Sequence, residues 1–190
     1  MLKNIIYSNT LKKIMKCIFS IFYNKEYLEG YFYDEKRLGW YWAWRSLGNR
    51  LFGENRNIPW PVHPRTIVAN SKNIKFHRDD LKIFQVPGCY WQNHKGKIVI
   101  GRGCYVAPNV GLITTNHDIN NLDNHVEGKD IVIGDKCWIG MNAMILPGVV
   151  LGEKTIVGAG AVVTHSFPDG KCIIAGVPAK IIRKIDEDEE

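Results

Sequence analysis

The chain has 190 residues, 45% hydrophobic and 11% aromatic, which suits one folded domain with an appendage and excludes a disordered, solvated chain. Its net charge is +6, but the last five residues, Asp186–Glu190, are all acidic, so the body carries +11. Such a body attracts anionic substrates, polyphosphorylated cofactors or membrane surfaces; no nucleic-acid-binding module is visible, so no nucleic-acid partner is expected. Cys17, Cys89, Cys104, Cys137 and Cys172 form no CxxC pair and read as reduced thiols of a cytoplasmic protein. Leu2–Asn9 is interrupted by polar residues and reads as no cleavable signal, and no apolar run reaches the roughly 18 residues of a membrane span.

Residues 1–56 differ in kind from the rest. Leu11–Phe22 sets Lys12, Lys13 and Lys16 beside Ile14, Met15, Ile18, Phe19 and Phe22, the spacing of an amphipathic helix. Tyr31–Arg50 is crowded with rings, with Trp40, Tyr41, Trp42 and Trp44 inside five residues. Two roles fit: a helical cap over an open end of the following fold, or a peripheral membrane contact through residues 11–50 that holds the protein at the inner face of a membrane. Residues 57–65, with Pro59, Pro61 and Pro64, read as a stiff linker. Irregular β structure then follows from Thr66 to Lys97.

From Ile133 to Pro168 six hexapeptides run without a break: IGDKCW, IGMNAM, ILPGVV, LGEKTI, VGAGAV and VTHSFP. The first position is always branched aliphatic, and the fifth is small or β-branched in the first five. A period of six fits neither a helix nor a simple two-residue alternation. It marks a β-helix, in which three hexads make one triangular coil of 18 residues. Gly134, Gly140, Pro147, Gly148, Gly152, Gly158 and Gly160 would each cost a helix about 1 kcal/mol or more. Earlier starts at Ile100, Val106 and Leu112 add a coil, and Ile74, Phe76, Leu81, Ile83 and Val86 suggest a degenerate one. Between the Leu112 and Ile133 starts lie 21 residues, not a multiple of six, so a loop over 113–130 is extruded from the scaffold. The β-helix is thus expected over 66–172, with a last strand and a short closing helix within 173–190.

Three stretches carry a family resemblance: APNV…TTNHD (107–118), the block from Lys129 to Thr164, and IAGVPAKIIRKI (174–185). With them the chain resembles the hexapeptide-repeat O-acetyltransferases, near the bacterial acyltransferases of sugars and surface polysaccharides. The resemblance implies a mainly β fold, a left-handed parallel β-helix with an N-terminal helical segment and a short C-terminal helix. It implies acetyl-CoA as co-substrate, a sugar or polysaccharide-precursor acceptor, and a homotrimer with sites between subunits.

The resemblance also assigns residues. His117 falls on the family's catalytic base, and imidazole, with an ordinary pKa near 6.5, can take a hydroxyl proton near neutral pH. Its second nitrogen needs a carboxylate or carbonyl partner, for which Asp118, Asp79, Asp80, Asp123 and Glu127 all stand open. The backbone N–H of Met141, after Gly140, falls on the oxyanion donor; the family often has Ser there, and Met removes that hydroxyl. Gly158, Ala159 and Gly160 are expected to let the pantetheine arm approach the coil, with Thr164 further along it. Lys180 and Arg183, three apart on the closing helix, would share a face and meet the cofactor's phosphates. Gln92, Asn93, Asn116 and Asp118 are candidates for the acceptor. No metal is expected. A γ-type carbonic anhydrase would use the same solenoid, but it needs three His ligands, and His117 and His125 stand eight apart with no close third. A non-catalytic β-helix binding protein is the other alternative.

Overall fold

A computed structural model describes residues 8–185; residues 1–7, which include most of the Leu2–Asn9 stretch read as no cleavable signal, and the acidic run Asp186–Glu190 lie outside them. The hexads fold as a left-handed parallel β-helix with three faces. Sheet A stacks β1 (Ile67–Val68), β3 (Tyr90–Gln92), β6 (Gly111–Ile113), β11 (Met144–Ile145) and β14 (Val162–Val163). Sheet B stacks β2 (Ile74–Lys75), β4 (Ile98–Ile100), β9 (Ile131–Ile133) and β12 (Val150–Leu151). Sheet C holds β5 (Tyr105–Val106), β10 (Trp138–Ile139), β13 (Ile156–Val157), β15 (Cys172–Gly176) and β16 (Ala179–Lys184). The chain visits A, B and C in turn.

Each strand joins the sixth residue of one hexad to the first of the next. The first residues, Ile133, Ile139, Ile145, Leu151, Val157 and Val163, are all buried, and so are the fifth residues Cys137, Ala143, Val149, Thr155 and Ala161. Two inward positions per hexad fill the prism. Burial of each large aliphatic side chain contributes on the order of 2 kcal/mol. The sixth residue points out, which leaves Tyr105 and Trp138 exposed and paired in register on sheet C.

Register confirms the coil length. Trp138 pairs with Ile156 and Met144 with Val162, 18 residues apart in each case. Tyr105 pairs with Trp138 and Gly111 with Met144, 33 apart, so the coil between them carries 15 extra residues. Those residues form a hairpin of β7 (His117–Asp118) and β8 (Asn121–His125).

The N-terminal segment folds as α1 (Asn9–Phe19), α2 (Tyr31–Asp34) and α3 (Leu38–Phe52). Ser8 caps α1 by accepting from Leu11 N at 3.1 Å. Phe19 stacks on Trp40, and a second run of rings leads from Tyr27 through Trp60, Phe76 and Phe84 to the fully buried Trp91 inside the first coil, both within one buried cluster. The helices therefore close the N-terminal end of the prism with aromatic packing. In that first coil the 3-10 turn Arg78–Phe84 takes the place of a sheet C strand. Its Asp80 is buried and accepts from Gly103 N at 2.8 Å, which ties the first coil to the next.

Two expectations are corrected. Residues 57–65 are no linker: Ile58, Trp60 and Val62 are buried in the core, so the prolines shape a packed segment. Residues 179–184 form a strand, not a closing helix. β15 would otherwise end sheet C with an open edge, and β16 turns back antiparallel to satisfy its backbone groups.

Candidate active site

The hairpin leaves the prism where sheet A turns into sheet B. Its neck is held by Gln92, whose Oε1 accepts from Thr114 N at 3.0 Å and Thr115 N at 3.2 Å while its Nε2 donates to Thr115 O at 3.0 Å. Thr114 and Thr115 are buried. Thr115 Oγ1 donates to Val126 O at 2.8 Å, and Val126 N donates to Asn116 O at 3.0 Å, which closes the hairpin at its base. Gln92 was expected to touch an acceptor; its side chain is spent on this neck instead. Asn93, with the same expectation, is 0% exposed and exchanges both side-chain hydrogen bonds with the Asn70 backbone. Gln92→Ala leaves the buried N–H and carbonyl of Thr115 without their side-chain partner. We expect it to lower stability by about 2 kcal/mol or more, read by thermal unfolding, with faster hydrogen exchange in the hairpin.

His117 stands on β7, exposed, with Nδ1 2.6 Å from the carbonyl of Leu122 across the turn. A carbonyl only accepts, so Nδ1 carries the proton and Nε2 keeps its lone pair for another partner. The orienting group is thus a backbone carbonyl and none of the five carboxylates considered. Asp118 is spent on the turn, accepting from Asn120 N at 2.8 Å; Asp79 accepts from Tyr31 N at 3.2 Å in the cap, and Asp80 is bound to Gly103. The exposed Asn116 sits at the hairpin base, one residue before His117.

The cross-strand partner of His117 is His125, its ring centroid 4.1 Å away and tilted 36°. Desolvation, then the nearby charges of His117, Lys95 and His94, push the His125 imidazole below its ordinary value. It therefore tends to stay neutral beside the base. Sequence reasoning weighed His125 as a zinc ligand and gave it no role beside the base; the signal for that place was an Asn-rich turn, Asn120–Asn121, flanked by His at both ends, a hairpin pattern that places the two rings opposite.

Gly140, Met141 and Gly158–Gly160 lie on a different edge, where sheet C turns into sheet A. Gly140 N donates to Val157 O, and Gly160 N donates to Met141 O at 2.7 Å, which joins two successive coils. The Met141 N–H has no partner among the described residues. Gly140 and Gly158 are required by stacking: a Cβ on Gly140 would lie 2.5 Å from Val157 O, and one on Gly158 would lie 2.9 Å from Ala175 Cβ. Gly160, at φ +70°, faces open space, and Ala159 is exposed beside it. Lys180 pairs with Ala175 and Arg183 with Ile173, with a register shift between. Ala175 and Ile173 share a face of β15, so the irregularity brings Lys180 and Arg183 to one side, as the discarded helix would have done. Thr164 follows β14 and lies on the His117 edge, away from Gly158–Gly160.

Sheet A separates these two edges within one chain. One hexad of extended backbone spans about 20 Å, too far for His117 and the Met141 N–H to flank one reacting carbon. Among the described residues no group of three or more His, Cys, Asp or Glu is placed to hold a metal.

Residues 130–165 match the bacterial transferase hexapeptide model, with six repeats. A Dictyostelium discoideum protein provisionally named as an acetyltransferase is 53% identical over 46% of this chain and 47% of its own length. The chain thus spans about half the length of the first relatives it matches. The match extends further in WbbJ of Escherichia coli K12, provisionally named as a lipopolysaccharide biosynthesis O-acetyl transferase: 36% identity over 76% of each chain. Among solved structures, galactoside acetyltransferase in complex with coenzyme A superposes with a TM-score of 0.56, at 28% identity over 67% of this chain and 63% of that one.

Proposed function

The chain belongs to the hexapeptide-repeat acetyltransferase family, and from that premise we propose that it moves an acetyl group from acetyl-CoA to a hydroxyl of a sugar or surface-polysaccharide precursor. The observation that carries this reading is His117, whose Nδ1–H is held by the Leu122 carbonyl so that Nε2 is left as a base. The imidazole takes the acceptor's hydroxyl proton as the C–O bond forms and the C–S bond breaks, and the proton then passes to the departing thiolate. The Met141 N–H is suited to receive the developing negative charge on the acetyl oxygen. Gly160 and Ala159 leave room for an amide-rich arm, and Lys180 and Arg183 supply cations on one face for its phosphates. These residues fit acetyl-CoA.

Because sheet A parts the two edges, the site works only if the His117 edge of one copy meets the Met141 edge of another. A homotrimer supplies that arrangement three times over. The hairpin favours it, since Ile119, Leu122 and Val126 are exposed apolar side chains on the element that carries the base. The WbbJ name is what points to a polysaccharide acceptor.

The test is thiol release from acetyl-CoA with a panel of sugars and polysaccharide fragments, followed by mass spectrometry of the products. We expect a gain of one acetyl group that mild base removes, as an ester requires. A base-stable product would replace hydroxyl by amine as the acceptor. Absence of any acceptor-dependent thiol release across native polysaccharide precursors would overturn the reading.

A further inference from the structure

The helical cap exposes more apolar surface than closing the prism requires. The inner side of α3 already does that work: Trp40, Trp42, Ala43 and Ser46 are buried there. On its outer side Tyr41, Trp44, Gly48 and Leu51 follow one another at three- and four-residue steps, with Phe52 four past Gly48, a single stripe. Phe52 is 89% exposed and Trp44 68%. A second stripe runs along α1 as Ile14 and Ile18 and continues past its end to Ile21, itself 77% exposed. Arg50 Nε donates to Phe22 O at 2.8 Å and so ties the end of this stripe to the last turn of α3.

The two helices that bear these stripes carry charge of one sign. Helices α1 and α3 carry Lys12, Lys13, Lys16, Arg45 and Arg50 and no Asp or Glu. Lys12 pairs with Asp34 and Lys16 with Glu29, both outside the two helices. Over residues 8–56 nine Lys and Arg stand against five Asp and Glu. No described helix is long and apolar enough to cross a membrane.

We propose that this face of the cap is a docking surface for an anionic phospholipid bilayer, on which the protein lies without spanning it. Exposed Trp and Tyr suit the headgroup layer, where a ring can be half buried and half wet. Branched aliphatic and Phe side chains beside them enter the acyl boundary, and Lys13 and its neighbours meet lipid phosphates. Gly48, in the middle of the stripe, faces open space, where a Cβ would meet nothing within 4 Å. A second copy of the same face is a poorer occupant, because it would bring cationic helices against each other. The inference stands apart from the acetyl-transfer reading and does not depend on it.

The experiment is co-sedimentation of the full chain with vesicles of phosphatidylcholine containing about one-quarter phosphatidylglycerol, against pure phosphatidylcholine, at low and high salt. Binding is expected to the anionic vesicles and to weaken with salt. The exposed pair Trp44→Ser and Phe52→Ser should lower partitioning at least about tenfold without shifting thermal unfolding. Equal binding to both vesicle types, or unchanged partitioning of the double variant, would overturn the proposal. So would a smaller oligomeric mass of that variant by light scattering, which would assign the face to contacts between copies.

Discussion

Replacing His117 by Ala is expected to lower kcat for acetyl transfer about a thousandfold, within the range that a positioned general base contributes. The KM for acetyl-CoA should stay within about twofold, because the residues proposed to hold the coenzyme lie on the opposite edge of sheet A. The hairpin should survive the change. Its neck is fixed by Gln92, Thr115 and Val126 and its turn by Asp118, none of which relies on the imidazole. Steady-state kinetics and thermal unfolding of the same sample separate the two effects. A variant that folds normally and turns over within tenfold of the parent would remove His117 as the base. A second comparison probes His125. Because its ring stacks on His117 and tends to stay neutral, His125→Phe keeps the stacking surface and should retain most activity, whereas His125→Ala should lose more.

The core of the prism was legible because its signal is local and repeated. A branched side chain at one hexad position and a small one four residues later recur in phase, and both positions are buried wherever the phase holds. The extruded hairpin was legible as a break in that phase, and the 15-residue surplus in register is that break measured. The C-terminal segment was not. Ala179–Lys184 is six residues long with two Ile side by side, and so short an apolar run suits helix and strand alike. What decides it is the open edge of β15, a tertiary fact absent from the local pattern. Asn93 failed for a similar reason. A polar side chain near a proposed acceptor site reads as a ligand contact until the Asn70 backbone, 23 residues earlier, is seen to claim it. The partner of His117 was sought among carboxylates because side chains are what a sequence displays. A backbone carbonyl brought round by a turn has no signature of its own.

The glycines on the Met141 edge make the separation of scaffold and site measurable. Gly140→Ala puts a Cβ 2.5 Å from Val157 O and 2.7 Å from Ala159 N, both backbone atoms of the next coil. Neither can turn aside as a side-chain tip would, so the stacked coils themselves must move. Overpacking of this kind is expected to cost about 3 kcal/mol, which for a chain of this size lowers the thermal midpoint by about 6–12 °C. Gly160→Ala meets nothing within 4 Å and is penalised only for holding φ at +70°, about 1 kcal/mol and a few degrees. Its effect on the reaction should run the other way. If the coenzyme arm passes over the open surface at Gly160, the added methyl raises the KM for acetyl-CoA at saturating acceptor while the protein stays folded. A stable Gly160→Ala variant with unchanged KM would move the coenzyme off this edge. It would also leave the hexads as scaffold alone, with no part in binding the acetyl donor.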